Sequence, residues 1–263
     1  MHAVRLYLQT KRLKSKTHEK TKKKSSIDIT RKPLYISLMT QNERRLFLIN
    51  YLKDENPQYK NIEIPKNDEE QKQIFRSLVN IRPAMKASDE FLSIQDEYLK
   101  EENKSRGITE IKDMERICKD IYLWKGDITT VKVGAIVNAA NSGMTGCYQP
   151  CHACIDNCIH TFAGIQLRSY CNDIMKKQGY EEPTGKAKIT PAFNLPCDYV
   201  IHTVGPIVYG DLTENDCQML SSCYKSCLEI AEKNKIDSIA FCCISTGVFH
   251  FPNEKAAEIA VST

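Results

Sequence analysis

An α/β fold, a sheet with helices on both faces, is what the sequence after Gly107 predicts, because short apolar runs there alternate with longer amphipathic ones. Two features strengthen this. The stretch 135–138 reads as a buried strand, and the candidate ligand motifs fall mostly at the carboxyl ends of strands, where open sheets bind their ligands.

Taken in order, the apolar runs predict strands at 121–124, 135–138, 187–193, 199–204 and 238–244. Helical periodicity predicts one long helix over 155–177, another over 214–233, and the beginning of a third over 253–262. Upstream lie three further amphipathic helices. The first spans 41–54, capped by Thr40, with Leu46, Leu48, Ile49 and Leu52 at helical spacing. A second follows Asp68-Glu69-Glu70, carries Ile74, Phe75, Leu78 and Ile81, and is ended by Pro83. The third spans 89–103 with Phe91, Leu92, Ile94 and Leu99 apolar. The chain therefore divides into a basic, disordered tail (1–38), a helical N-terminal extension (39–110) and an α/β domain (111–263). The extension reads as a helical cap on the α/β domain, with a substrate-selecting surface as the alternative.

Composition narrows the class. At 263 residues, 41% hydrophobic and 27% charged, the chain is an ordinary globular one. It holds no run of about 18 apolar residues and no secretory h-region, so a cytoplasmic protein without a membrane partner is expected. The net charge of +4 is concentrated in Lys11, Arg12, Lys14, Lys16, Lys20, Lys22, Lys23 and Lys24 against Glu19 alone. Such a run is usually a solvated tail rather than a nucleic-acid site. Residues 1–38 show no sustained helical or strand period, and Met39 is expected to be the functional start. Twelve cysteines without an export signal favour metal binding over disulfides.

Chemistry concentrates in Cys147-Tyr148-Gln149-Pro150-Cys151-His152-Ala153-Cys154-Ile155-Asp156-Asn157-Cys158-Ile159-His160, which reads as a metal-carrying loop running into a helix. Zinc accepts thiolate and imidazole, and Cys147, Cys151, His152 and Cys154 are the candidate ligands. Asp156 lies at the loop-to-helix junction, as an N-cap or as a group that handles a proton. His160 and Cys158 are assigned to helix packing, His202 to the core as a satisfied histidine, and the adjacent Cys242 and Cys243 to buried thiols.

Four weaker motifs surround that loop. Gly126-Asp127-Ile128-Thr129 follows the first strand, and Asn138-Ala139-Ala140-Asn141 ends the second with two amides suited to sugar hydroxyls. Ser245-Thr246-Gly247-Val248-Phe249 is a small strand-to-helix loop whose backbone N–H groups can cradle a diphosphate. His202-Thr203-Val204-Gly205-Pro206 closes an intervening strand. Each of these taken singly is also an ordinary turn.

With the metal loop and Pro183-Thr184-Gly185 they make six motifs in one order. This series resembles the macrodomain (Appr-1-p processing) family, which binds ADP-ribose, over roughly residues 115–263. The resemblance implies a mixed central sheet flanked by helices (α/β/α). It implies Asp127 and Ile128 at the adenine, Asn138 and Asn141 near the distal ribose, and Ser245, Thr246, Gly247, Val248 and Phe249 around the diphosphate and its ribose. It places Asp156 at the family's catalytic aspartate.

Where typical hydrolytic macrodomains have glycines, this sequence has Cys151-His152-Ala153-Cys154, and in this it is similar to the zinc-dependent bacterial subgroup. That subgroup carries a helical extension like residues 39–105, is associated with sirtuin-type ADP-ribosyltransferases and lipoyl carrier proteins, and removes ADP-ribose from protein. Adjacent Cys151 and His152 do not readily face one ion, whereas His152 and Cys154 at i, i+2 do; Cys147, His152 and Cys154 are therefore the expected zinc (Zn2+) ligands. A closed four-ligand site that includes Cys151 is the alternative.

The expected activity is zinc-dependent hydrolysis of ADP-ribose from mono-ADP-ribosylated protein. One rival is a binding module that recognises ADP-ribose without cleaving it. Another is a structural zinc knuckle with an RNA-binding basic arm. The sequence stops at Thr263, within the last predicted helix, so the fold's usual final strand is expected to be missing, with an uncovered sheet edge and reduced stability.

Overall fold

The computed structural model describes residues 4–10, 34–118 and 120–263. Strands β1 (Val4–Thr10), β2 (Glu115–Cys118), β3 (Ile121–Gly126), β4 (Ala135–Ala140), β5 (Ala187–Pro191), β6 (Tyr199–Val204) and β7 (Ser238–Phe241) form one mixed sheet in the order β2-β3-β1-β7-β4-β6-β5. β4 runs parallel to β6 and β7, whereas β1, β2 and β5 pair antiparallel with their neighbours. β4, with the sequence Ala-Ile-Val-Asn-Ala-Ala, is buried at every position except Ala139. That burial on both faces is why it reads as a continuous run rather than an alternating one.

Helices α1 (Leu34–Leu38), α2 (Gln41–Asp54), α3 (Asp68–Ile81) and α4 (Asp89–Ser105) form the extension. α2 begins with a capping box in which the Thr40 side chain accepts from Glu43 N–H while the Glu43 carboxylate accepts from Thr40 N–H. The extension has its own core of Leu48, Ile49, Leu52, Phe75, Leu78, Phe91, Ile94 and Leu99. Full burial of each such side chain contributes about 1.5–3 kcal/mol. The same core takes in Ile165 of the α/β domain, so the extension is packed onto that domain.

Two strands were not expected. The first 38 residues carry no strand in the sequence reading, yet Val4–Thr10 forms β1 between β3 and β7, and the sheet is continuous there. Val4, Leu6 and Leu8 do alternate with more polar neighbours, a period too short to stand out beside the lysine run. The lysine run itself lies outside the described residues. β2, at Glu115–Cys118, is exposed throughout and carries no apolar pattern.

The predicted 155–177 helix is two helices, α5 (Ile155–Ala163) and α6 (Ile165–Gln178), broken at Gly164. Gly164 has φ 101° and ψ 167°, a conformation only glycine adopts readily. α4 docks at this break, where Gln95 Oε1 accepts the Ile165 N–H at 3.0 Å. β5 stops at Pro191, short of the predicted 193, where Phe193 takes φ 54°. β7 ends at Phe241 rather than 244, because Cys243 already begins the turn that receives Thr246. α7 (Glu214–Lys233) and α8 (Asn253–Ser262) complete the fold. Among the described residues no helix is long and apolar enough to cross a membrane.

Candidate active site and metal centre

The site is built where β4 ends against the start of α5. Asn138 is fully buried, and its Nδ2 donates to Asp156 Oδ1 at 2.8 Å. Asn141, three residues on, donates to Asp156 Oδ2 at 3.3 Å and to Gly146 O at 3.2 Å. The two amides thus converge on one carboxylate, which is only 4% exposed. Burial raises the Asp156 pKa to about 6, while the Asn138 hydrogen bond and the Arg168 guanidinium act in the opposite direction.

Asp156 is not the cap of α5. That position belongs to Cys154, whose Sγ accepts the Asn157 N–H at 3.4 Å, and Asp156 sits in the first turn. A carboxylate there gains from the helix dipole without giving its oxygens to the backbone.

The loop before α5 brings Cys147, His152 and Cys154 together, with one ligand atom from each lying within 4.8 Å of the others. Cys147 Sγ is 3.6 Å from His152 Nδ1. Tetrahedral zinc with ordinary Zn–S and Zn–N bonds separates its ligands by roughly 3.5–3.8 Å, so this donor set fits the ion with modest closure. Burial pushes the Cys154 thiol up to about 12. Cys151 points elsewhere: its Sγ is 3.2 Å from Ser77 Oγ on α3, its N–H donates to Asn80 Oδ1 at 2.9 Å, and its φ is 52°.

The extension holds this loop. From α3, Arg76 donates to His152 O at 2.7 Å and to Asn157 Oδ1 at 2.9 Å. Arg168 on α6, 4% exposed, donates to Thr145 O at 2.8 Å and to the α3-end carbonyls of Val79 and Asn80 at 3.1 and 2.7 Å. None of Arg76, Ser77, Asn80, Asn157 or Arg168 was singled out from the sequence. A signal was present, since Gln73, Arg76, Ser77 and Asn80 form a polar stripe at helical spacing along α3.

On the other side, Cys154 and Ile155 share a cavity of about 310 Å³ with Ser245, Thr246, Gly247, Val248, Phe249 and Asn253. The predicted metal loop and the predicted phosphate loop therefore face one space. The N–H groups of Gly247, Val248 and Phe249 take no backbone acceptor among the described residues. Ser245 has φ 64°, and its buried Oγ has no hydrogen-bond partner among the described residues. Cys242 is buried as expected, but Cys243 is half-buried and lines the cavity with it.

Asp127 and Ile128 are not among the residues lining that cavity. The Asp127 carboxylate caps a short 3-10 turn by accepting from Thr129 N–H at 2.9 Å, and it is ion-paired with Arg106 from the end of α4. Ile128 is buried in the core of the α/β domain.

A second cluster, His160, Cys171 and His202, lies under Asp156 with its ligand atoms within 4.8 Å. Both nitrogens of His202 are already engaged, Nδ1 with Asn138 Nδ2 at 3.1 Å and Nε2 with Thr190 Oγ1 at 3.0 Å, so a metal fits poorly there. Burial lowers the His202 pKa to about 3 and that of His160 well below the usual histidine value. His160 is packed within α5 with neither ring nitrogen hydrogen-bonded among the described residues, Nε2 lying 3.6 Å from Asp156 Oδ1.

The macro domain family profile matches residues 137–260. A Treponema medium protein named protein-ADP-ribose hydrolase is 63% identical over 229 residues, which is 86% of this chain and 88% of that protein. A Staphylococcus aureus (strain MRSA252) protein of the same name is 47% identical over 228 residues, 86% of this chain and 85% of its own length. A solved Oceanobacillus iheyensis macrodomain with ADP aligns at a TM-score of 0.51 and 36% identity, covering 57% of this chain and 77% of that one. With relatives this similar aligned over nearly their whole length, and with the mixed sheet flanked by helices, the chain belongs to the macro domain family.

Proposed function

We propose that the chain is a hydrolase that releases ADP-ribose from mono-ADP-ribosylated protein, with zinc held by Cys147, His152 and Cys154. The observation that carries this reading is that Cys154 and Ile155 line one cavity together with Ser245–Phe249, with the buried Asp156 two residues from Cys154. The names of the Treponema and Staphylococcus relatives point to the same reaction.

In this reading the N–H groups of Gly247, Val248 and Phe249, which take no backbone acceptor among the described residues, bind the diphosphate. Asn138 and Asn141 hold the Asp156 carboxylate in place beside the distal ribose. Asp156 accepts, at Oδ2, the proton of the attacking water as the water oxygen bonds to the anomeric carbon of the distal ribose and the bond to the protein side chain breaks, its electron pair leaving with the side-chain atom. Asp127 keeps spare acceptor capacity for the adenine amine beyond its bonds to Thr129 and Arg106, and the Ile128 N–H serves a ring nitrogen. Zinc, when bound, supplies Lewis acidity and a template at its open coordination position.

The carrier we propose is a lipoyl carrier protein modified by a sirtuin-type ADP-ribosyltransferase. The test is to incubate zinc-loaded protein with ADP-ribosylated lipoyl carrier protein and measure free ADP-ribose, with a chelator control. Release by the wild type that is lost on chelation, and lost in Asp156→Ala with zinc retained, supports the reading. Binding of ADP-ribose without release would instead make the chain a recognition module.

A further inference from the structure

We propose that Asn157, clamped by Arg76 of the helical extension, is the positioning residue that sets the zinc loop, an inference that rests on the ligand assignment above. Asn157 is fully buried in the first turn of α5; its carbonyl accepts from Thr161 Oγ1 at 2.7 Å within that helix, while its backbone N–H and side-chain amide meet the loop and α3. Its backbone N–H donates to Cys154 Sγ at 3.4 Å. Its side-chain Nδ2 donates to Gln149 O at 2.9 Å and Cys147 O at 3.4 Å. Its Oδ1 accepts from Arg76 Nη2 at 2.9 Å and Nε at 3.3 Å. Arg76 then reaches the remaining ligand residue, donating to His152 O at 2.7 Å.

The pair therefore touches all three ligand residues, two through their carbonyls and one at its sulfur. Among the described residues no single element of the α/β domain does this; the three ligands lie on an irregular loop outside the sheet ladder. Among the described residues Arg76 makes no ion pair; its partners near the loop are His152 O, Asn157 Oδ1 and, at 3.5 Å, Cys158 Sγ. A planar fork suits two acceptors at fixed separation, and a lysine does not. The helical extension thereby acquires a role beyond packing: α3 carries the outer support of a metal loop whose ligands all come from the other domain. Outer-shell partners of this kind are worth about 10–100-fold in metal affinity.

The test is a zinc titration against a chromophoric chelator, using full-length wild type, Arg76→Ala, Arg76→Lys and Asn157→Asp. The last keeps an acceptor for Arg76 but loses the two donors to the loop carbonyls. Thermal unfolding of the metal-free proteins checks folding, and half-exposed Arg76 gives a variant that folds if the buried Asn157 substitution does not. We expect zinc affinity to fall about 10-fold or more in Arg76→Ala and Asn157→Asp, with Arg76→Lys between Arg76→Ala and wild type. Wild-type zinc binding with affinities in the folded variants within about twofold of it would overturn the clamp alone. A wild type that binds no zinc would overturn the ligand assignment and the clamp with it.

Discussion

Asn138 gives one amide group to two partners: its Nδ2 lies 2.8 Å from Asp156 Oδ1 and 3.1 Å from His202 Nδ1. An NH2 group has two hydrogens, and this geometry uses both. His202 Nδ1 must then accept, so the ring proton sits on Nε2, from which it is donated to Thr190 Oγ1 at 3.0 Å. This asparagine of β4 is thus oriented by Thr190 of β5 and His202 of β6, and it passes that orientation to the carboxylate. Its Oδ1 is buried with no partner among the described residues, facing no competitor for a substrate hydroxyl or water.

Asn138→Ala should therefore separate catalysis from binding. A hydrogen bond to a charged group is worth about 1.5–3 kcal/mol, so its loss from Asp156 is expected to lower kcat by roughly 10- to 100-fold. Affinity for free ADP-ribose should move less, since the diphosphate loop lies on another strand. Turnover and calorimetric titration on the same preparation check this; equal losses in both would remove the orienting role.

Acid stability is expected to depend on His202. Its folded pKa of about 3 lies below the usual value near 6.5, because burial disfavours the imidazolium. Between those values the unfolded chain binds a proton that the folded one does not, so stability rises with pH across that window and falls as the solution is acidified. The neighbouring His160 is also held neutral by burial, and the Cys171 thiol is pushed up to about 12, so neither supplies a compensating charge. Denaturant unfolding between pH 4 and 7 should show His202 contributing a slope of at most about 1.4 kcal/mol per pH unit, reduced in His202→Gln.

The sequence carried the α/β class, the three extension helices and the order of the loops, because each rests on local periodicity or on turn chemistry that a strand end imposes. It also carried His152 and Cys154 as neighbours, since i, i+2 residues in an extended loop share a side; Cys147, five residues before His152, is brought to them by the path of the loop. What it hid was non-local. Asn157 looks like any residue in a helix's first turn, and only the tertiary approach of α3 gives it Arg76. Asp156 was ambiguous between cap and free carboxylate, an ambiguity settled by Cys154 taking the cap. β1 was hidden by its neighbours in sequence, and the break at Gly164 by apolar periodicity that continues on both sides of it.

That break is itself testable. A Cβ at Gly164 would lie 2.6 Å from Gln166 Oε1 and 2.7 Å from Gln95 Nε2, and φ 101° is strained for any other residue. Gly164→Ala is expected to destabilise the fold by about 1–3 kcal/mol from backbone conformation, with further loss from displacing Gln95 off the Ile165 N–H. Chemical denaturation measures it, and a variant as stable as wild type would mean that the two helices can be joined.

The ligand assignment makes the most direct prediction. Cys151 is in the same loop as the three expected ligands, but its positive φ turns its side chain onto α3, where Sγ sits 3.2 Å from Ser77 Oγ and 3.5 Å from Gln73 O. A serine there can keep both contacts through its hydroxyl, so Cys151→Ser should retain one equivalent of zinc. Cys147→Ser and Cys154→Ser each remove a thiolate from a set that numbers three ligands among the described residues, and both should be isolated without stoichiometric metal. Metal analysis of the three purified variants distinguishes this from the closed four-ligand site. In that alternative Cys151→Ser loses zinc as readily as the other two, and the loop must then rotate Cys151 away from α3, breaking the Cys151 N–H bond to Asn80 Oδ1.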